Sequence, residues 1–121
     1  MKFGNEMIRP IDVTSKILFK EWKLEPGDEE LTVMKVILHG TEDGHPITIE
    51  YNLLDRYDTK TAISSMSRST GYTCTAAANL IAKKMFTKKG VYPPELMAST
   101  EGCFQFVMDY LKARGVNWIK K

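Results

Sequence analysis

The sequence predicts an α+β fold, a hairpin-containing β-sheet packed with about three helices, and three observations carry the prediction. Ile47, Ile49, Tyr51 and Leu53 alternate with Thr48, Glu50 and Asn52 behind a loop with two glycines, the pattern of a half-buried strand returning from a hairpin. Apolar residues recur at helical spacing in three other stretches. The 121 residues are 43% hydrophobic and 26% charged, ordinary globular composition whose length suits a single domain, 1–121. At 13.8 kDa, size scaling gives a folded surface of about 6,600 Å², with about two-thirds of the unfolded surface buried, so one core is available.

Pro10 to Leu24 is the first predicted helix. Ile11, Leu18 and Trp22, and also Val13, Ile17 and Leu24, recur at roughly helical spacing; Asp12 and Thr14 are its candidate N-caps, with Pro10 just outside. Glu25-Pro26-Gly27-Asp28 breaks it with a turn. Leu31 to His39 is short and rich in Val, Ile, Leu and Met, hence a strand. Only Thr32 and Lys35 interrupt its apolar residues, which predicts a strand covered on both sides or nearly so. Gly40-Thr41-Glu42-Asp43-Gly44 is the hairpin loop, and the alternating strand follows it.

From about Thr70 to Phe86, Ala76, Ala77, Leu80, Ile81 and Met85 predict a second helix, with Lys83, Lys84, Lys88 and Lys89 crowding its C-terminal end. Val91-Tyr92-Pro93-Pro94 reads as extended. The last helix runs from Ser99 or Thr100 to Arg114, with Thr100 as cap and Gly115 as stop, and Val116 to Ile119 suits a short terminal strand. Two strands alone make a poor sheet, so the chain is expected to be a piece of a larger α+β layer or to complete its sheet by association.

Several function classes fall away. The net charge of +2 is too small to imply a nucleic-acid or acidic-membrane partner. No apolar run approaches the ~20 residues of a membrane helix, and MKFGNEMIRP lacks the apolar region of a secretory signal. Neither G-x-G-x-x-G nor G-x-x-x-x-G-K-[ST] occurs, so no nucleotide loop is recognisable. His39, His45, Cys74 and Cys103 spell neither C-x-x-C nor H-E-x-x-H, and no metal site is expected. The two cysteines read as reduced thiols of a cytoplasmic protein. Cys74 alone stands near a predicted helix N-terminus, although a small buried helix residue is the simpler reading. The histidines are expected to be exposed residues flanking the hairpin loop.

The chemically suggestive segment is Ser64 to Tyr72, in which hydroxyl residues, Arg68 and Gly71 precede the predicted helix. A helix start has unpaired N–H groups and attracts anions, a guanidinium matches a carboxylate, and glycine admits close approach to the backbone. Together these make a carboxylate cradle; an ordinary N-cap with solvated hydroxyls and a surface arginine is the plainer reading, and spacing alone favours it. Asp55, at a strand end beside Arg56, Tyr57 and Asp58, can accept a proton or hold a substrate ammonium, or simply form a local surface ion pair. The lysines around Lys84 and Lys88 have no interleaved aromatics and read as a solvated helix end.

Leu31-Thr32-Val33-Met34-Lys35-Val36, Tyr51-Asn52-Leu53-Leu54-Asp55-Arg56-Tyr57-Asp58, Ser65-Met66-Ser67-Arg68-Ser69-Thr70-Gly71-Tyr72 and Gly90-Val91-Tyr92-Pro93-Pro94-Glu95 follow one another in an order that resembles the C-terminal part of the saccharopine dehydrogenase family, including its lysine 6-dehydrogenase-like members. Pro10-Ile11-Asp12-Val13-Thr14 fits as well. The family's third motif usually reads Ser-Met-Ala-Arg-Thr-Thr-Gly-Tyr; here Ser67 and Ser69 stand for the alanine and the first threonine, and both stay small. The resemblance implies a substrate-side α+β domain like the C-terminal domain of glyceraldehyde-3-phosphate-dehydrogenase-like oxidoreductases, with the Rossmann half that binds NAD or NADP absent and the chain cut at Met1. It implies hydride transfer at a C–N bond of lysine, saccharopine or a related amino acid, the protein positioning the substrate's carboxylates. On that reading Ser65, Arg68, Thr70, Gly71 and Asp55 bind the amino acid, no residue is assigned as catalytic, and this stretch binds no cofactor by itself. The expected partners are the amino-acid substrate, the missing Rossmann domain and further copies of the chain. A non-catalytic oligomerisation or interaction module of the same fold is the alternative, and a dehydrogenase of carboxylated polyamines a third.

Overall fold

The computed structural model describes residues 2–4 and 6–121. A small antiparallel pair, β1 (Lys2–Phe3) and β2 (Glu6–Met7), precedes helix α1 (Pro10–Glu21). Neither Asp12 nor Thr14 caps α1. The helix begins on Pro10 itself, whose fixed φ and missing N–H suit a first helical position, and Asp12 lies in the first turn, paired with Arg9 at 2.9 Å. α1 ends three residues before Leu24, buries none of its residues and leaves Phe19 76% exposed. The turn after it forms as expected, with Glu25 N–H donating to Asp28 Oδ2 and Asp28 N–H to the Glu25 carbonyl.

Strands β3 (Leu31–Glu42) and β4 (His45–Arg56) pair antiparallel from Leu31↔Arg56 to Glu42↔His45. Asp43 (φ 52°) and Gly44 (φ 80°) make the whole connection. Two left-handed residues match the twist of the strands, so Gly40, Thr41 and Glu42 join the strand instead of forming a five-residue loop. The expected terminal strand is present: β5 (Trp118–Lys120) pairs with β4 at Leu53↔Trp118, giving the order β3-β4-β5. The expectation that β3 is covered on both faces fails. It is an edge strand, and Leu31, Val33, Ile37 and Leu38 all lie open, Val33 at 67% exposure.

Three helices complete the architecture: α2 (Ser65–Ala82), the short α3 (Pro94–Ala98) and α4 (Cys103–Lys112). α2 starts well before Thr70, because Ser64 is extended and its Oγ accepts the Ser67 N–H at 3.1 Å. Pro94 opens α3, so the Pro-Pro stretch is not wholly extended. Gly102, not Thr100, is the N-cap residue of α4.

The core lies where α2 and α4 meet each other and the sheet. Leu53 of β4 packs with Leu111 and Val116, and Tyr72, Val107 and Trp118 close around them. Leu80, Phe86 and Cys103 form a second cluster among the helices, joined to the first through Val107. Tyr92 meets Phe86 edge-on at 5.3 Å between ring centres. Among the described residues no helix is long and apolar enough to cross a membrane.

Candidate functional site

The serine-rich segment becomes the first turns of α2, standing over the β3–β4 end of the sheet. A helix start presents N–H groups without intrahelical acceptors and favours negative charge. That charge is supplied from within the chain. The Glu30 carboxylate, just before β3, accepts the Ser65 backbone N–H on one oxygen and the Ser65 hydroxyl, at 2.6 Å, on the other. Ser65 is fully buried. Its single hydroxyl hydrogen goes to Glu30, so Thr32 Oγ1, 2.6 Å away, donates to Ser65 Oγ. The Ser65 hydroxyl is the largest cause holding the Glu30 carboxyl below its ordinary value, against the opposing cost of burial.

Arg68, one turn later, projects its guanidinium to the sheet. Nε donates to Asp55 Oδ2 at 3.1 Å, Nη1 to Asp58 Oδ2 at 3.1 Å and Nη2 to the Arg114 carbonyl at 3.3 Å. The Arg68 and Asp55 side chains are 12% and 8% exposed. Asp58 is fixed in turn by the Thr61 hydroxyl at 2.8 Å and the Lys60 N–H at 3.0 Å; the Thr61 bond is the first cause of its lowered pKa. At Gly115 (φ 80°), a Cβ would stand 3.0 Å from Arg68 Nη2, so a glycine there lets the guanidinium lie against the turn after α4. One side chain thereby ties the end of β4, the following loop, α2 and the C-terminal end of α4.

Ser65, Arg68 and Asp55 are thus brought together, with three carboxylates of the chain itself on the anion-binding groups: Glu30 on the helix start, Asp55 and Asp58 on the arginine. Two of the five guanidinium N–H groups are left by these bonds. An incoming carboxylate would meet a largely covered arginine or have to displace an internal partner. Thr70 and Gly71 stand apart, in the second turn of α2 and not at its start. Gly71 is exposed, with open space where a Cβ would be. Thr70 instead lines a separate apolar cleft of about 630 Å³ between α2, α3 and α4, walled by Leu80, Met97, Phe104 and Val107. Glu30 escaped sequence reasoning: it lies 35 residues from Ser65, and no local spacing links them.

Cys74 lines that cleft from within α2, away from the helix start, and is exposed. It is Cys103, buried at the first position of α4, that occupies a helix N-terminus. His39 and His45 are exposed but belong to strands, with His39 Nδ1 3.0 Å from Thr48 Oγ1. No group of three or more metal-ligating side chains converges among the described residues.

Acid is expected to weaken the fold. Glu30, Asp58 and Glu50, the last held chiefly by Lys35, all have pKa values lowered by native contacts. A carboxylate depressed on folding contributes stability above its unfolded pKa and loses it as pH falls through the folded one. Urea midpoints should therefore hold between neutrality and about pH 5 and drop below 4.5, the ordinary glutamate value. In Glu30→Gln the drop should be shallower. An identical pH profile for the two proteins would remove Glu30 from the account.

A family model described as the saccharopine dehydrogenase C-terminal domain matches residues 1–116. No solved structure matches the chain.

Proposed function

Because the chain belongs to the saccharopine dehydrogenase C-terminal domain family, we propose that it acts as the substrate-side and association domain of an NAD(P)-dependent oxidoreductase working on a C–N bond of lysine, saccharopine or a related amino acid in the cytoplasm. The nicotinamide cofactor would be held by a Rossmann domain, and the layer described above would be arranged like the C-terminal domain of glyceraldehyde-3-phosphate-dehydrogenase-like oxidoreductases. Within that enzyme the chain's principal task is association.

The observation that supports this reading is exposed area. The chain exposes 9863 Å², about 3,200 Å² more than the ~6,600 Å² typical of a compact monomer of its mass. Much of the open apolar surface is on α1 and β3. Obligate interfaces bury roughly 2,000–5,000 Å² in total, about half of it on each partner, so the excess on this one chain is at least as large as one such interface removes. Sedimentation equilibrium is expected to show a dimer or larger species at micromolar chain concentration. The same sample should not reduce NAD or NADP with lysine or saccharopine. A monomer at every concentration would overturn the association reading, and turnover would overturn the division of labour.

A second reading, an association module without catalysis, is favoured by the internal occupancy of the cradle. Calorimetry with a panel of amino acids separates the two: heat of binding that disappears in Ser65→Ala supports a substrate site, and no heat with an associated, folded chain supports the module.

A further inference from the structure

We infer that the distal half of the β3–β4 hairpin of one copy docks on α1 of a second copy, and that the exchange is reciprocal. This rests on the association reading and names its contact.

The hairpin offers a suitable face. By the strand register, Val36, Leu38 and Glu42 share one side with Ile47 and Ile49. This is the side that, nearer the base, holds Thr32 against Ser65 and Asp55 against Arg68. Farther out, Val36 and Leu38 are 42% and 51% exposed. A two-stranded ribbon is about 10 Å wide, the diameter of one helix. From Val36 to Glu42 it runs about 20 Å at strand rise. α1, with its 12 residues, is about 18 Å long. One helix therefore fits the ribbon in both dimensions.

α1 offers the complement. Val13 and Ile17, one turn apart, are exposed and flanked by Lys16 and Lys20, which have no ion-pair partner among the described residues. At the hairpin tip Glu42 and Asp43 are likewise without an ion pair among the described residues. An apolar ridge edged by lysines thus meets an apolar strip ending in acids.

The chain's own α1 is badly placed for this role. Leu24 to Asp28 share a concavity with Tyr57, Ile63 and Ser64, at the base of the hairpin. Glu30 is bonded to Ser65 there, and residues 25–28 are folded into a turn. Within the chain α1 buries none of its residues and Val36 and Leu38 stay open, so the distal half is left to another copy.

The test co-expresses two differently sized tagged chains, both Cys74→Ser, one carrying Ile17→Cys and the other Leu38→Cys; Cys103 is buried. A short bismaleimide should join them into a mixed dimer at least tenfold more than it joins either chain to itself. A doubly substituted chain bridged within the monomer, or a Leu38→Cys chain joined only to its own kind, overturns the inference. A dimer by sedimentation with no bridge overturns this contact and leaves the association reading standing; a monomer overturns both.

Discussion

Replacing Arg68 with alanine is expected to cost about 3 kcal/mol of folding stability, because it leaves a carboxylate ionised and buried without its partner. Asp55 is only 8% exposed on its side chain, and Arg68 Nε is its ion-pair partner. Solvent cannot readily take over that role. The same substitution also removes the tie to Asp58 and the hydrogen bond to the Arg114 carbonyl. Arg68→Lys should rescue little: an ammonium is a point charge, whereas three acceptors on separate segments are met here by a planar fork. Adding Asp55→Asn to Arg68→Ala should recover part of the loss, since the stranded charge is then gone. Urea midpoints at unchanged slope measure these differences. A loss below about 1 kcal/mol would class the cluster with exposed surface pairs. The outcome also bears on function. A destabilised Arg68→Ala chain that loses amino-acid binding has not revealed a substrate contact, so binding is better probed through Ser65→Ala with folding checked in parallel.

How far these features were legible depends on how local their causes are. The pairing of the hairpin reads directly, since alternation and a glycine-bearing loop are properties of neighbouring residues, and the error in loop length comes from strands that continue pairing to Glu42. The start of α2 does not read. Ser64 to Thr70 lacks the apolar period of a helix and is rich in residues that favour turns. Its first turn is helical because Ser64 caps it and Glu30 closes it from 35 residues away. The carboxylate cradle was legible in its chemistry, an anion site at a helix start beside an arginine, and illegible in its occupants. Asp55 and Asp58 were visible as a turn with an ion pair, but nothing in their spacing joined them to Arg68. For β3 the apolar composition is that of a covered strand, while the chain alone leaves it open.

Leu53→Ala is expected to cost more than Leu80→Ala, although both remove the same atoms from sites that are nearly or wholly inaccessible, 2% and 0% exposed. Truncation loses the transfer energy of the deleted groups and, where the surroundings cannot collapse or fill, adds a cavity cost; the range for leucine is about 2–5 kcal/mol. Leu53 sits on the central strand, with Leu111 and Val116 on its inner side and Tyr72, Val107 and Trp118 around them. Backbone pairing on both sides of β4 holds the strand in place, so the void stays closed and empty, and a loss near 4 kcal/mol follows. Leu80 packs against Phe86 and Cys103 but also forms part of the wall of the cleft between α2, α3 and α4. Its removal enlarges an open space instead of sealing a new one. Met97, also at that wall, is unbranched and can swing into the gap. The loss there should stay near 2–3 kcal/mol. Equal losses at the two sites would mean that the cleft wall is as rigid and dry as the sheet-side core, and that the space behind Thr70 is closed in solution.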